Sequence, residues 1–275
     1  CGFSLLLPGC GVPQDLPDQE IAGFAVPWAA IYDEARDAYL VSDVDGDALA
    51  KDGRAAIWRL RPDGAQCTAW IRGGVAGVEL HAPKGLALQG DLLYCCDLDR
   101  VRTFDRNSGA ARGEIVIPGA TALEGASAGP QGEVWVTDPA SNSVHAIAKD
   151  GTVRRIAQSA ELHQPAALVV LATGAYVVTR GSGEFVQVDG KGRSTQLVVT
   201  PPRSLDGLAR VREGQWMCAS RTGNTVYALD TKGGLVEWPM AGLQSPMAIS
   251  VDPVRGRLLV PSSTGGKLLV RRIPQ

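Results

Sequence analysis

A chain of 275 residues carrying 33 glycines and 17 prolines is rich in turn formers, set against average usage near ~7% and ~5%. Its 27 basic and 29 acidic side chains nearly cancel to a formal −2, with no basic stripe, which excludes the electrostatic footprint of a nucleic-acid binder. No apolar run approaches the ~20 residues of a membrane-spanning helix, and the 45% hydrophobic fraction is ample for one large buried core.

Residues 2–10 read GFSLLLPGC, a short apolar run ending in a small residue and a cysteine. This is similar to the tail of a bacterial lipoprotein signal, in which the cysteine becomes the lipidated residue. On that reading Cys10 carries a lipid anchor and the protein is extracytoplasmic, in the periplasm. A plain apolar arm is the alternative. Either way, residues 1–19 are set apart as an N-terminal arm or signal remnant, and residues 20–275 form the folded domain.

From residue 27 onward six segments can be laid under one another. In chain order they are PWAAIYDEARDAYLVSDV from Pro27, PKGLALQGDLLYCCDL from Pro83, LEGASAGPQGEVWVTDP from Leu123, PAALVVLATGAYVVTRG from Pro165, LDGLARVREGQWMCASR from Leu205 and PMAISVDPVRGRLLVPSS from Pro246. Each opens on Pro or Leu, reaches a small residue two positions on, and then runs apolar–turn–apolar to a Ser, Thr, Asp or Cys. The openings lie 56, 40, 42, 40 and 41 residues apart, the long first interval holding the polar insertion DVDGDALAKDGR between Asp43 and Arg54. A third apolar stretch follows in each copy (AAIWRL, VRTFD, SVHAIA, EFVQV, TVYALD, KLLVRRI). A fourth precedes the next opening, and turns such as RPDG, RNSG, AKDG and DGKG lie between. Four strands at a period near forty is the blade unit of a propeller. The last copy has three strands, and a spare one stands at the other end, EIAGFAV from Glu20 to Val26. The chain is therefore expected to be an all-β, six-bladed β-propeller, its ring closed by pairing that strand with the last blade near Lys267 to Arg272. No segment sustains a 3.6-residue apolar period, so helices should be few.

Cys67, Cys95, Cys96 and Cys218 form no C-x-x-C pair and have no zinc spacing, and Cys95 and Cys96, adjacent in a strand-like run and so on opposite faces, are expected to be packed thiols. His81 and His163 both lie two residues before a repeat opening, which puts them near one rim as loop hydrogen-bonders or, alternatively, as a metal pair.

The first three blades, with APKGLALQGDLLYCCDLDRVRTFD, IPGATALEG and VTDPASNSVHAI, resemble the senescence-marker-protein/gluconolactonase propellers, in a bacterial branch with many exported members. The resemblance spans residues 20–270 and implies the same fold. Enzymes of that family open lactone rings with one divalent metal at the mouth of the central channel, held by residues one position after each opening. That position here holds Trp28, Lys84, Glu124, Ala166, Asp206 and Met247. The family's Pro-Glu-Ser is replaced by Pro27-Trp28-Ala29, its Pro-Asn-Gly by Pro165-Ala166-Ala167 and its Leu-Asn-Asp by Leu123-Glu124-Gly125. Leu205-Asp206-Gly207 alone keeps the family's aspartate.

Calcium wants six to eight oxygens and zinc about four ligands, so losing a carboxylate and an amide oxygen degrades the site. Glu124 and Asp206 remain as metal ligands, completed by Asp43, Asp45 or Asp47 if at all. No metal is expected, with calcium or zinc the possible occupant of a rebuilt site. Strand alternation puts Asp43, Asp97, Asp99, Arg100, Asp138, Arg180 and Arg221 on the same face as the repeat openings. Arg180 and Arg221 then either join Lys84 in an anion-binding mouth or pair with Glu124 and Asp206. Two functional readings follow. The first is a binding module for a small molecule or protein, with Trp28, Lys84, Glu124, Arg180, Asp206 and Arg221 as its site. The second is a metal-dependent hydrolase of lactones or related esters with a rebuilt site.

Overall fold

Each repeat folds into one antiparallel sheet because its β-branched and aromatic stretches are separated only by tight turns, so consecutive strands pair with their neighbours. In the computed structural model, which describes residues 16–200, 204–230 and 232–274, six such sheets form a six-bladed propeller. Blade 1 is β2 (Pro27–Asp33), β3 (Ala38–Asp43), β4 (Ala56–Leu60) and β5 (Thr68–Arg72). Blade 2 is β6 (Pro83–Gln89), β7 (Leu92–Asp97), β8 (Arg100–Asp105) and β9 (Ala111–Val116). Blade 3 is β10 (Ala126–Ala128), β11 (Val134–Asp138), β12 (Ser143–Ile147) and β13 (Val153–Gln158). Blade 4 is β14 (Pro165–Leu171), β15 (Gly174–Thr179), β16 (Glu184–Val188) and β17 (Ser194–Val199). Blade 5 is β18 (Gly207–Arg212), β19 (Gln215–Ser220), β20 (Thr225–Asp230) and β21 (Leu235–Trp238). A single 3₁₀ turn, Ala160–Leu162, is the one helical element among the described residues.

Blade 6 takes three strands from the end of the chain, β22 (Ser250–Asp252), β23 (Arg257–Ser262) and β24 (Lys267–Arg272), and its outermost from the beginning, β1 (Gln19–Ala22). The register sets Glu20 opposite Leu269 and Ile21 opposite Leu268. Glu20 pairs with Lys267 at 3.2 Å and Arg271 at 2.9 Å, and Asp18 with Arg257 at 3.1 Å. The expected closure is present, but the strand runs over 19–22 rather than 20–26. Gly23, at φ 112°, turns the chain inward, and Phe24 N–H then donates to the Gly266 carbonyl. The Cys10 anchor lies outside the described residues.

The small residue two positions into each repeat has a direct cause. The inner strands crowd the axis, so a Cβ at Gly85 would overlap the Glu124 carbonyl oxygen, and one at Gly207 that of Met247. Ala29 and Ala248 occupy the same place in blades 1 and 6 and form a direct bridge. Hydroxyls on the second strands tie neighbouring blades together. Ser42 Oγ donates to the Lys84 carbonyl at 2.6 Å, and Thr137 Oγ1 donates to that of Ala166 at 2.7 Å. The core lies in the joints between blades. Ala29, Leu40 and Ile57 of blade 1 pack on Leu86, Leu93, Cys95 and Phe104 of blade 2. Cys95, Cys96 and Cys218 are fully buried free thiols, and Cys96 Sγ donates to the Gly125 carbonyl at 3.5 Å.

Candidate functional site

The residues one position after each opening all reach the central axis and are buried there: Trp28, Lys84, Glu124, Ala166, Asp206 and Met247. Strand pairing fixes them. Glu124 N–H donates to the Thr137 carbonyl at 2.9 Å, and Asp206 N–H to that of Ala219 at 2.8 Å, so both carboxylates leave rigid backbone.

Between those carboxylates stands a guanidinium. Arg180, in the turn between β15 and β16, donates from Nε to Asp206 Oδ1 at 2.7 Å and from Nη2 to Glu124 Oε1. One side chain from blade 4 thus bridges blades 3 and 5 across the channel mouth. Burial works against the Arg180 charge, yet the charges and hydrogen bonds of Glu124 and Asp206 outweigh it and hold the guanidinium above the ordinary arginine range. Arg221 is looser. Its Nε lies 4.0 Å from Asp206 Oδ1, its backbone N–H donates to Asp206 Oδ2 at 3.1 Å, and its side chain is 39% exposed.

Lys84 completes the constellation from blade 2. Its residue is 3% exposed and its Nζ lies 4.9 Å from the centre of the Trp28 ring. That is within cation–π range. Among the described residues it has no hydrogen bond from Nζ and no ion pair within 4.0 Å. Burial pulls its ammonium below the usual lysine range; the Glu124 carboxylate opposes this and the Arg180 charge adds to it. Trp28 itself is packed against Val44, Ala82, Leu98 and Met247, so the indole fills the mouth between blades 1, 2 and 6.

The aspartates that the sequence placed on this face do other work. Asp43 accepts from the backbone of Ala25 and Val26, at 3.0 and 2.7 Å, and from Trp58 Nε1 at 3.0 Å. Asp97 accepts from Ala82 N–H at 2.7 Å and Arg102 Nε at 3.1 Å, and Asp138 from Thr121 N–H at 2.8 Å. Each ends a second strand and clamps the loop entering its own blade, a structural job repeated by position. Asp45 pairs with Arg54 at 3.2 Å and Asp47 caps Leu49 N–H at 2.8 Å, so neither completes a metal shell. Asp99 and Arg100 pair with each other at 2.9 Å. His81 Nδ1 accepts from Gly53 N–H in the β3–β4 loop at 3.1 Å, and His163 Nδ1 meets Glu184 Oε2 at the start of β16 at 2.9 Å, so each histidine ties its loop to a neighbouring element and the two do not meet.

The residues present do not fit a divalent ion. Of the positions that the resemblance implies as ligands, Asp206 keeps its carboxylate and Glu124 offers another in place of an asparagine, a cation already stands between the two, and a tryptophan occupies the place of a third ligand. No group of three or more His, Cys, Asp or Glu among the described residues is placed to hold a metal. The mouth gathers three cations, Lys84, Arg180 and Arg221, around two anions. The repeat phase put all six candidate residues on this face; only side-chain reach, which repeat phase does not encode, decides that Arg180 is spent on Glu124 and Asp206.

No protein-family model matches the sequence, and no curated protein does. Solved structures do. A gluconolactonase from Xanthomonas campestris superposes with a TM-score of 0.73 at 18% identity, over 94% of this chain and 90% of that one. Virginiamycin B lyase from Staphylococcus aureus, in an inactive form with quinupristin, gives 0.65 at 13% identity over 94% and 99%. A chain of a nidogen/laminin complex gives 0.69 at 19% identity over 82% and 85%. The resemblance to gluconolactonase propellers read from the first blades is thus found in three dimensions, alongside a lyase and a protein–protein complex. At these identities the likeness fixes the six-bladed propeller fold of this chain and no more, since the same fold carries a gluconolactonase, a lyase and a member of a protein–protein complex.

Proposed function

We propose that this propeller is a binding protein that takes a small anionic molecule at the channel mouth, its ancestral metal position filled by Arg180. The observation that carries the reading is the bridge from Arg180 to both Glu124 and Asp206, which supplies internally the positive charge a metal would bring. What remains for a ligand is the surplus cation. Lys84 is buried beside the axis without a carboxylate partner, and Arg221 stands half exposed above Asp206. A carboxylate or phosphate oxygen answers both.

The test is thermal unfolding of the whole chain with acetate or inorganic phosphate, at constant ionic strength, set against chloride. A one-site ligand that binds only the folded form adds about 2.7 kcal/mol at ~100-fold excess over Kd. Anion-dependent stabilisation that disappears in Lys84→Met is the expected result. Identical behaviour of wild type and Lys84→Met in every anion refutes the reading.

The rival reading, a lactone or ester hydrolase with a rebuilt metal site, needs a divalent ion to displace Arg180 from Glu124 and Asp206. It draws support from the survival of both carboxylates at rigid positions. We also propose an extracytoplasmic location through a lipid on Cys10, from the GFSLLLPGC stretch. The full-length protein should then partition into detergent, and Cys10→Ser should release it to the soluble fraction; unchanged partitioning would reduce the stretch to an arm.

A further inference from the structure

Lys84 stands apart from the other lysines of the chain. Lys51, Lys149, Lys191 and Lys232 are exposed and Lys267 is half-buried. Lys267 reaches Glu20 at 3.2 Å and Lys51 reaches Asp99 at 3.9 Å. Lys84 alone is buried, at the axis, and among the described residues nothing accepts from its Nζ. Its one close neighbour is the Trp28 ring, 4.9 Å away.

An ammonium in this place has given up water without receiving hydrogen bonds in return, which favours the neutral amine. The charged and titratable groups that reach it are Glu124 and Asp138 of blade 3, Arg180 of blade 4 and the Cys96 thiol of its own blade. Burial is the largest influence and lowers the Lys84 pKa; Arg180 adds to this, while Glu124, Cys96 and Asp138 oppose it. Glu124 is moreover taken by Arg180, so no carboxylate is committed to Lys84. A desolvated lysine beside another cation is the setting in which an amine becomes a nucleophile near neutral pH. Cys96 is no rival for that role, because its thiol is fully buried and burial drives its pKa up, away from the thiolate.

We propose that Lys84 holds its ligand covalently, as a protonated imine formed with an oxo acid, an aldehyde or ketone that also bears a carboxylate. The proposal rests on the anion-binding reading of the mouth and adds a carbonyl group to the ligand. The amine lone pair forms the C–N bond at the carbonyl carbon. Counted from the ammonium, two of its three protons leave with the carbonyl oxygen as water, and the third stays on the nitrogen. The positive charge thus remains beside the Trp28 ring, and the contact that holds the ammonium holds the iminium as well. The carboxylate answers the half-exposed Arg221 guanidinium. Trp28, packed with Val44, Ala82, Leu98 and Met247, keeps bulk water from that side and slows the return hydrolysis.

The experiment incubates the full chain at neutral pH with glyoxylate and cyanoborohydride, whose hydride reduces an iminium to a stable secondary amine. Carboxymethylation of each lysine is then followed by peptide mass spectrometry. Lys84 should be modified at least tenfold faster than the exposed Lys149, Lys191 and Lys232. That preference should fall at least tenfold with acetaldehyde, which has the same length and no charge, and inorganic phosphate should protect Lys84 from glyoxylate. Modification of Lys84 no faster than of the exposed lysines overturns the proposal, and so does an unchanged preference with acetaldehyde. Because the mapping is made on wild type, no variant has to fold for the result to count. Phosphate-dependent stabilisation of the same chain reports on the anion reading separately. Stabilisation without a Lys84 adduct overturns covalent capture alone, and the lack of both overturns both.

Discussion

Arg180 decides the character of the mouth because two buried carboxylates depend on one guanidinium. Removing one partner of a buried ion pair costs about 3–5 kcal/mol, since the other charge stays desolvated and unpaired. Arg180→Met, with similar length and no charge, should therefore lose about that much stability at neutral pH, read by urea denaturation, while Arg221→Met should lose about 0–1 kcal/mol because its pair is long and half exposed. A second residue-scale consequence concerns His145, buried in β12 with Nε2 2.8 Å from Ser143 Oγ. Burial, the largest influence, lowers its pKa from 6.5; Asp138 opposes this and Arg155 adds to it. Below pH 6.5 the unfolded chain takes up a proton at this histidine that the folded one resists, so stability falls as pH drops from 6.5 toward the lowered folded value. His145→Gln should flatten that slope below pH 6.5. A variant whose slope matches wild type would show that His145 does not titrate differently on folding.

At the scale of elements, the repeat was legible because each part of it answers a constraint. The small residue two positions after each opening is demanded by the neighbouring blade's carbonyl, as at Gly85 and Gly207. The Asp ending the second strand of blades 1 to 3, and Ser262 in blade 6, are demanded by the loop each clamps, as at Asp43 and Asp138, whereas Thr179 and Ser220 hold the turns that follow them. The end of β1 was less legible, since the apolar run through Val26 hides the turn made at Gly23. The closing strand gives a direct prediction. A chain beginning at Gly23 loses β1, bares the β24 edge and removes the Glu20 pairs to Lys267 and Arg271. Unpaired edges template association. That shortened chain should melt lower and form dimers or larger species in light scattering; a monomer with the wild-type melting temperature would mean that β1 does not close the ring.

Over the whole molecule, the six-fold arrangement brings one residue from each blade to the axis, and what those six residues are sets what the mouth can hold. Lys84 in blade 2, Glu124 in blade 3 and Asp206 in blade 5 would be unremarkable alone; Arg180 from blade 4 joins the last two and leaves the first without a partner. Trp28 and Met247 pack together and close the remaining side. Whether the Arg180 guanidinium stands in for a metal ion at the mouth is tested by calorimetric titration of calcium and zinc into wild type and into the triple variant Trp28→Glu, Ala166→Asn, Arg180→Met. That variant restores a carboxylate and an amide oxygen and vacates the space between Glu124 and Asp206. No saturable heat is expected with wild type, and one-site binding with the variant. Tight one-site binding by wild type that is lost in Asp206→Ala would contradict it and leave the metal-dependent hydrolase as the better description.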